Sequence, residues 1–537
     1  MPSSFFCTSA LLGVLLALTS ACTSQGPVAS TGSLDGLLTV AEASGFQRTA
    51  RHTEVVAFLD ELALLSERVT RFEFGRSQEG RELPAIWLTA EANPTADKIR
   101  SSSKPLVLLY GNIHAGEVCG KEALLWLARE LCTGDPVLED LNLAIVPIYN
   151  ADGNELMAPD NRPGQVGPEQ MGTRANAQGL DLNRDWTKAE ASETRAFLAF
   201  LNEFDPEVIV DTHTTNGSLH RYALTYQGPK HPAGDAELIE FGRTEFLPAV
   251  ARRMADREGY ASTFYGNFDR NRERWEGYPA QPRFGAVYRG LRNRLTILTE
   301  AYSYDPYETR VRSTLAFCRA ILEQTAQRAA AIQQLLARAD QRTVELGRAA
   351  SDEVAVKAVQ TAYGPVTIAG FEELPDPTGE HPLGIVPGEP LDREVELWNR
   401  YEPSVTVQRP RAYLLSPGAA LLVQQLDLHG IQYRSLEEPS RLDATLLRIK
   451  SLTRAGREFQ GHRRIESVEL ETAPLSLEVG AGWTLVPTDQ PLGTLAVILC
   501  EPASEDGWLA WNFLDPWCME GEQLPIYRLS GPASDQP

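Results

Sequence analysis

Histidine is scarce in this chain, with eight in 537 residues, and cysteine is scarcer still, with seven. No two cysteines stand in a Cys-x-x-Cys spacing, which excludes the common thiolate zinc sites and thioredoxin-like redox motifs. Cys119 and Cys132 fall on one helical stretch, where such an offset spans about 20 Å. A disulfide needs Cα atoms within about 7 Å, so these two cannot pair. Cys500 and Cys518 are the expected pair in an oxidising compartment. Positive charge is also short: 50 Lys and Arg face 72 Asp and Glu, for a net charge of −22, and no basic stripe occurs. That balance argues against a nucleic-acid partner. There is no internal repeat, and 43% hydrophobic with 23% charged residues argues against global disorder.

Long apolar runs outside the interior patterns are confined to the N-terminus. MPSSFFCTSALLGVLLALTSA carries no charge and one apolar run, Leu11 to Leu18, of signal-peptide length and short for a membrane span. Residues 1–21 are therefore expected to be a signal peptide and the protein to be exported. The run ends LTSAC, which places Cys22 as the lipid-modified first residue of a bacterial lipoprotein. The expected location is the bacterial cell envelope, in the periplasm or as an outer-membrane lipoprotein, or the secreted fraction. Residues 22–47 then read as a flexible tether. At this length two folded units are the default, here 48–349 as a catalytic domain and 350–537 as a smaller C-terminal accessory domain, α+β or β-rich.

From about residue 51, helical and strand patterns alternate. TEVVAFLDELALLSERV and GKEALLWLARELCT have helical spacing, the latter burying Leu124, Leu127, Ala128 and Leu131. ELPAIWLTA, KPLVLLYGN, LNLAIVPIYN, PEVIVDTH and RLTILTE read as strands, and residues 310–349 as one long helix. Strands buried on both faces between helices predict an α/β fold with a central sheet covered on both sides, whose site lies beyond the carboxyl ends of its strands. Past residue 350, TAYGPVTIAGFEELPDPTGEHPLGIVPGEP reads as a boundary followed by short strands. AYLLSPGAALLVQQLDLHGIQYRSL reads as strand, helix stopped by Gly430, and strand. TLAVILCEP and the remaining segments read as further short strands.

Against the scarcity of histidine, placement matters. His114 and Glu117, in GNIHAGEVCGKEALL, follow a strand at the turn into a helix, and His213 closes another strand. Two histidines and a carboxylate leave a fourth position open for water, the composition of a catalytic zinc site. Glu300 ends a third strand, where it can serve as a base. TRANAQGLDLNRDW supplies Arg174, Asn183 and Arg184, and a guanidinium fork suits a carboxylate. Each position alone has an ordinary structural explanation; together, at strand ends, they point to metal-assisted hydrolysis. Arg292 and Arg294 in RGLRNR read as a solvated strand entry, His462 as part of a solvated patch and His429 as a helix-terminal histidine.

FGRSQEGRELPAIWL, GNIHAGE, VPIYNADG, GLDLNRDW, DTHTTNG and ILTEAYSYDPYETR, in that order between about Glu54 and Arg312, resemble the zinc carboxypeptidase family typified by carboxypeptidase A. That resemblance implies a mixed central sheet with helices on both faces and one Zn²⁺ per chain, held by His114, Glu117 and His213. It implies Glu300 as general base and proton shuttle, Arg174 as the group polarising the scissile carbonyl, and Asn183 and Arg184 gripping the substrate's terminal carboxylate. Asp181 matches the carboxylate that orients the first zinc histidine. Two departures stand out: the turn is NADG where the family commonly has Pro before Asp, and Arg174 lies closer to Asn183 than in the digestive enzymes. The family's mobile substrate-binding tyrosine has no clear match: Tyr278 lies at a plausible distance before Glu300, and Tyr288, Tyr265 and Tyr260 compete with it. The implied partner is a peptide or peptide-like substrate with a free carboxylate, with membrane anchoring through lipidated Cys22; oligomeric state and side-chain preference are not encoded legibly. The same zinc site would also serve removal of acyl groups from amino acids or trimming of peptidoglycan stem peptides. A non-catalytic envelope binding protein is the reading from another class.

Overall fold

The computed structural model describes residues 32–215, 217–379 and 381–529, so the expected leader and Cys22 lie outside the described residues. Ten strands occupy its first part: β1 (Val69–Arg76), β2 (Glu82–Leu88), β3 (Leu106–Gly111), β4 (Asn142–Val146), β5 (Val208–Thr215), β6 (Leu224–Gln227), β7 (Ser262–Phe264), β8 (Asn267–Phe268), β9 (Arg274–Glu276) and β10 (Leu295–Tyr302). Eight form one mixed sheet in the order β1-β2-β4-β3-β5-β10-β6-β7. Its centre, β4-β3-β5-β10, is parallel and buried along nearly its whole length. This is why these strands read as continuous apolar runs rather than alternating ones.

Neighbouring side chains on a strand point to opposite faces, and the contacts on β3 and β5 follow that rule. A Cβ on Gly111 would crowd the backbone of the helix Cys119–Leu131, and one on Gly120 would lie 2.1 Å from Thr212 Oγ1. Glycine at position 120 therefore lets that helix start directly on β5. On the other face, Tyr110 and Asp211 meet Arg289 of the helix Gly285–Leu291, and Tyr110 packs edge-on against Phe197 of the helix Ser192–Phe204. Both faces of the sheet are thus covered by helices.

The second part adds β11 (Glu353–Thr361), β12 (Gly364–Pro375), β13 (Ile385–Trp398), β14 (Arg400–Gln408), β15 (Ala412–Leu415), β16 (Arg434–Leu436), β17 (Ser440–Arg454), β18 (Ile465–Val479), β19 (Trp483–Pro487) and β20 (Gln523–Leu529). The sheet β12-β13-β9-β8 joins strands from either side of residue 350, with β13 parallel to β9. A six-stranded sheet, β16-β19-β15-β20-β17-β18, completes the chain.

Several expectations need correction. Residues 310–349 are two helices, Tyr307–Gln327 and Ala329–Ala349, broken at Arg328, whose ψ of 14° is not helical. TLAVILC is a helix, Gly493–Cys500, buried all round; a short, wholly apolar run carries no periodicity to separate helix from strand. The strands past residue 350 are not uniformly short, since β17 and β18 pair over 15 residues each. Cys500 and Cys518 are both free thiols: Cys500 is buried at the end of its helix, and the Cys518 thiol donates to the Leu514 carbonyl. The expected tether is packed at its end, where Thr39 caps the helix Val40–Ala43 and Ala41 is buried against Glu122. Arg292 and Arg294 are buried, not solvated. Arg292 donates to the His429 carbonyl and to Asn202, and Arg294 lies between Asp205 and Asp340. His462 is also no solvated residue, since it bonds Glu190 at 2.9 Å.

Candidate active site

The turn after β3 is set by Asn112, which adopts φ of 64° and donates its amide to the Ala115 carbonyl at 3.0 Å. Asparagine tolerates this left-handed conformation better than other residues with a side chain. The chain folds back at once: Glu117 N–H donates to the His114 carbonyl at 2.8 Å. That tight turn puts His114 Nδ1 3.0 Å from Glu117 Oε1. His213, at the carboxyl end of β5, brings its own Nδ1 to 3.0 Å from Glu117 Oε2 and 3.3 Å from His114 Nδ1. Glu300 stands opposite His213 in the parallel register of β10 on β5.

His114, Glu117 and His213 are buried, and one donor atom from each lies within 4.8 Å of the others. Two imidazole nitrogens and a carboxylate oxygen suit zinc, and the other ring nitrogens are held as a metal site requires. His114 Nε2 meets Asp181 Oδ1 at 3.1 Å, and His213 Nε2 lies 3.0 Å from Asp211 Oδ1. Both Nδ1 atoms are thereby turned to the common centre. The donor set fits the ion.

Electrostatics follow from this packing. Burial opposes charge on Glu117, yet His114 and Arg162 beside it hold its carboxyl well below the usual carboxylate range. Burial also opposes charge on His213, but Asp211 and Glu117 push its imidazole well above the ordinary value. Asp181 is depressed by His114, Arg174 and Arg184 against its burial. Glu300 behaves oppositely: burial pushes it up to about 8, with the His213 charge countering and the Glu117 charge adding.

Around this centre lies a cleft of ≈ 150 Å³. Of the expected residues, His114, Glu117, Arg174, Asn183, Arg184, Tyr278 and Glu300 line it. Arg174 pairs with Asp181 at 2.8 Å, and the Arg184 guanidinium stacks 4.1 Å over the Phe284 ring. Asn183 accepts from the Gly285 amide at 2.8 Å. Tyr265 joins Tyr278 in the wall. Tyr288 is instead committed to His429 at 2.7 Å, and Tyr260 is not in the lining.

Four participants escaped the sequence reading. Arg162 donates to Glu117 Oε1 at 2.7 Å; it sits in an irregular loop with no periodic or motif signal. Asp211, two residues before His213, was readable from the alternation of β5, which sends both side chains to one face. Thr214 N–H donates to Glu117 Oε2, a backbone contact without a sequence signature. Phe284 precedes the helix Gly285–Leu291 and was hidden in an unaligned loop.

The model of the zinc carboxypeptidase family matches residues 55–264, a span that takes in His114, Glu117, Arg174, Asn183, Arg184 and His213 and ends before Glu300. Carboxypeptidase 2 of Trichophyton rubrum is 23% identical over 521 residues, covering 90% of this chain and 87% of that protein. Carboxypeptidase Z of Mus musculus is 35% identical over 152 residues, covering 26% of this chain and 22% of that one. A metallo-carboxypeptidase structure from Burkholderia cenocepacia aligns with 20% identity and a TM-score of 0.39, covering 51% and 69% of the two chains.

Proposed function

We propose that this chain, whose residues 55–264 match the zinc carboxypeptidase family and whose relatives include carboxypeptidase 2, is a peptide hydrolase that removes C-terminal residues from peptides bearing a free carboxylate. The observation that carries the reading is the convergence of His114, Glu117 and His213 within 4.8 Å, with Glu300 in register beside them. When bound there, zinc supplies a Lewis acid that polarises a carbonyl and makes water acidic near neutral pH.

The protein's own groups have separable tasks. Glu300 accepts the proton of the attacking water and returns it to the leaving amine, which needs a pKa near the working pH. Its burial places it there, and a bound cation would draw it lower. Arg174 faces the developing negative charge on the carbonyl oxygen. Asn183 and Arg184 hold the terminal carboxylate, the Arg184 guanidinium being placed by its contact over the Phe284 ring. Tyr278 lines the cleft with a buried hydroxyl that has no partner among the described residues, so it has a hydrogen bond to offer substrate. We further assign residues 1–21 to export and Cys22 to lipid attachment; intact mass of the mature protein tests both.

Glu300→Gln decides the mechanism. The variant should keep its fold and one zinc while losing hydrolysis of blocked dipeptides by about 10²–10⁴-fold, the usual share of a general base. Full activity in that variant would sink the assignment. Assaying acylated amino acids and stem peptides beside blocked dipeptides distinguishes the alternative substrates.

A further inference from the structure

The part of the chain beyond residue 350 reaches the segments that supply one end of the cleft's lining. β17 and β18 extend as a long hairpin, and at its tip Phe459 and His462 exchange backbone hydrogen bonds across Gln460 and Gly461. Both central residues have positive φ, 53° and 77°. Such two-residue turns strongly favour Asn-Gly, so glutamine at the first position is held in an unfavourable conformation. Its side chain has a use: Gln460 Oε1 accepts the backbone N–H of Asp181 at 2.8 Å. Asp181 opens the short turn Leu182–Arg184, which carries both residues assigned to the substrate carboxylate. His462 secures the tip by its bond to Glu190.

The adjoining segment is also held from the C-terminal part. Asp506 accepts the backbone N–H of Arg283 at 2.9 Å and pairs with its guanidinium at 3.1 Å. The next two residues are Phe284, under Arg184, and Gly285, bonded to Asn183. Segments 181–184 and 283–285 thus join at the carboxylate end of the cleft, each also held by one residue of the C-terminal part.

We propose that Gln460 and Asp506 are positioning residues that set the geometry of the carboxylate-binding end of the cleft, Gln460 through the Asp181 amide and Asp506 through Arg283. The proposal rests on the assignment of Asn183 and Arg184 to the substrate carboxylate. Neither residue touches the reacting atoms. Their loss weakens binding held equally in ground and transition states, which raises KM and spares kcat.

The test uses the full-length zinc-loaded protein carrying Gln460→Leu, which removes the acceptor, and Gln460→Glu, which keeps one. Gln460→Leu should raise KM for a blocked dipeptide, and Ki for the released amino acid, by about tenfold, the effect of one hydrogen bond. Its kcat, zinc content and melting temperature should match the parent, and Gln460→Glu should restore KM to within a few-fold. Asp506→Asn, which keeps an acceptor for the Arg283 amide but loses the charge, should fall between them. An unchanged KM in Gln460→Leu overturns the proposal, and so does a parallel loss of kcat and melting temperature, which marks a purely structural contact. Hydrogen exchange separates this inference from the assigned activity. Faster exchange at the Asp181 and Asn183 amides in Gln460→Leu supports positioning even if the parent cleaves no dipeptide, and unchanged exchange there overturns it.

Discussion

Asp211 and Asp181 each hold one imidazole so that its Nδ1 faces the metal position. Replacing either by Asn should cost 10–100-fold in zinc affinity, the usual effect of removing such a partner, measured by competition with a chromogenic chelator. The pH dependence of that affinity has a definite sign. His213 has a folded pKa raised by Asp211 and Glu117 against its burial, so zinc must displace a proton held more firmly than on a free imidazole. Affinity should therefore rise with pH, by about tenfold per unit for each proton released. The same raised pKa means that the His213 charge stabilises the metal-free fold fully below about pH 6.5 and progressively less as pH rises through the folded value. Legibility at this scale was uneven. That His114, Glu117 and His213 meet, with Glu300 in register beside them, was legible because each lies near the carboxyl end of a strand or on the turn after one. Motif residues such as Ser77, Arg81 and Asp152 could not be sorted from catalytic ones. They bond to one another, Ser77 to Asp152 at 2.6 Å and Arg81 to Asp152 at 2.7 Å, and none of the three lines the cleft.

Between residue and molecule, the helix Gly285–Leu291 links core to site. Its Arg289 is wholly buried, donating to the Tyr110 hydroxyl at 2.7 Å and reaching Asp211 at 3.3 Å, while Asp211 holds His213. Arg289→Met should destabilise the fold by about 3–5 kcal/mol, because it strands a buried carboxylate, and urea denaturation of the metal-free protein measures it. A neutral result would mean that Asp211 takes up its proton and the network carries no net stability. The parallel strands and the helix Cys119–Leu131 were legible from apolar runs and helical spacing. That same helix also buries Lys121 and Glu122, against Asn154 and the backbone of residues 41–50, which charge patterning would assign to solvent. At the cleft, Tyr265, Tyr278, Phe284 and Leu298 supply the apolar wall, and Glu117 and Glu300 are its only carboxylates among the described lining residues. Blocked dipeptides ending in an aromatic or aliphatic residue should accordingly have higher kcat/KM than those ending in Lys or Arg, which would find no dedicated countercharge.

Across the whole chain, the sequence changes texture near residue 350, yet contacts cross that point in three dimensions. β13 completes a sheet with β9 and β8, and Asp506 holds Arg283. Heating should therefore give one transition, with near-ultraviolet circular dichroism and loss of hydrolysis coinciding; two separated transitions would show that the parts melt independently. No pattern rule could have revealed these contacts, since they depend on residues far apart in sequence meeting through tertiary geometry. They also bear on the order in which the protein is made. The last strand of the eight-stranded sheet ends at Tyr302, and with it every expected zinc ligand and Glu300 have already been synthesised. Gln460 and Asp506 follow 158 and 204 residues later, counted from residue 302. At about 5–20 residues per second this is a delay of roughly 8–40 s. A nascent chain thus holds every expected zinc ligand and Glu300 well before it acquires the two residues proposed to set the carboxylate end of the cleft.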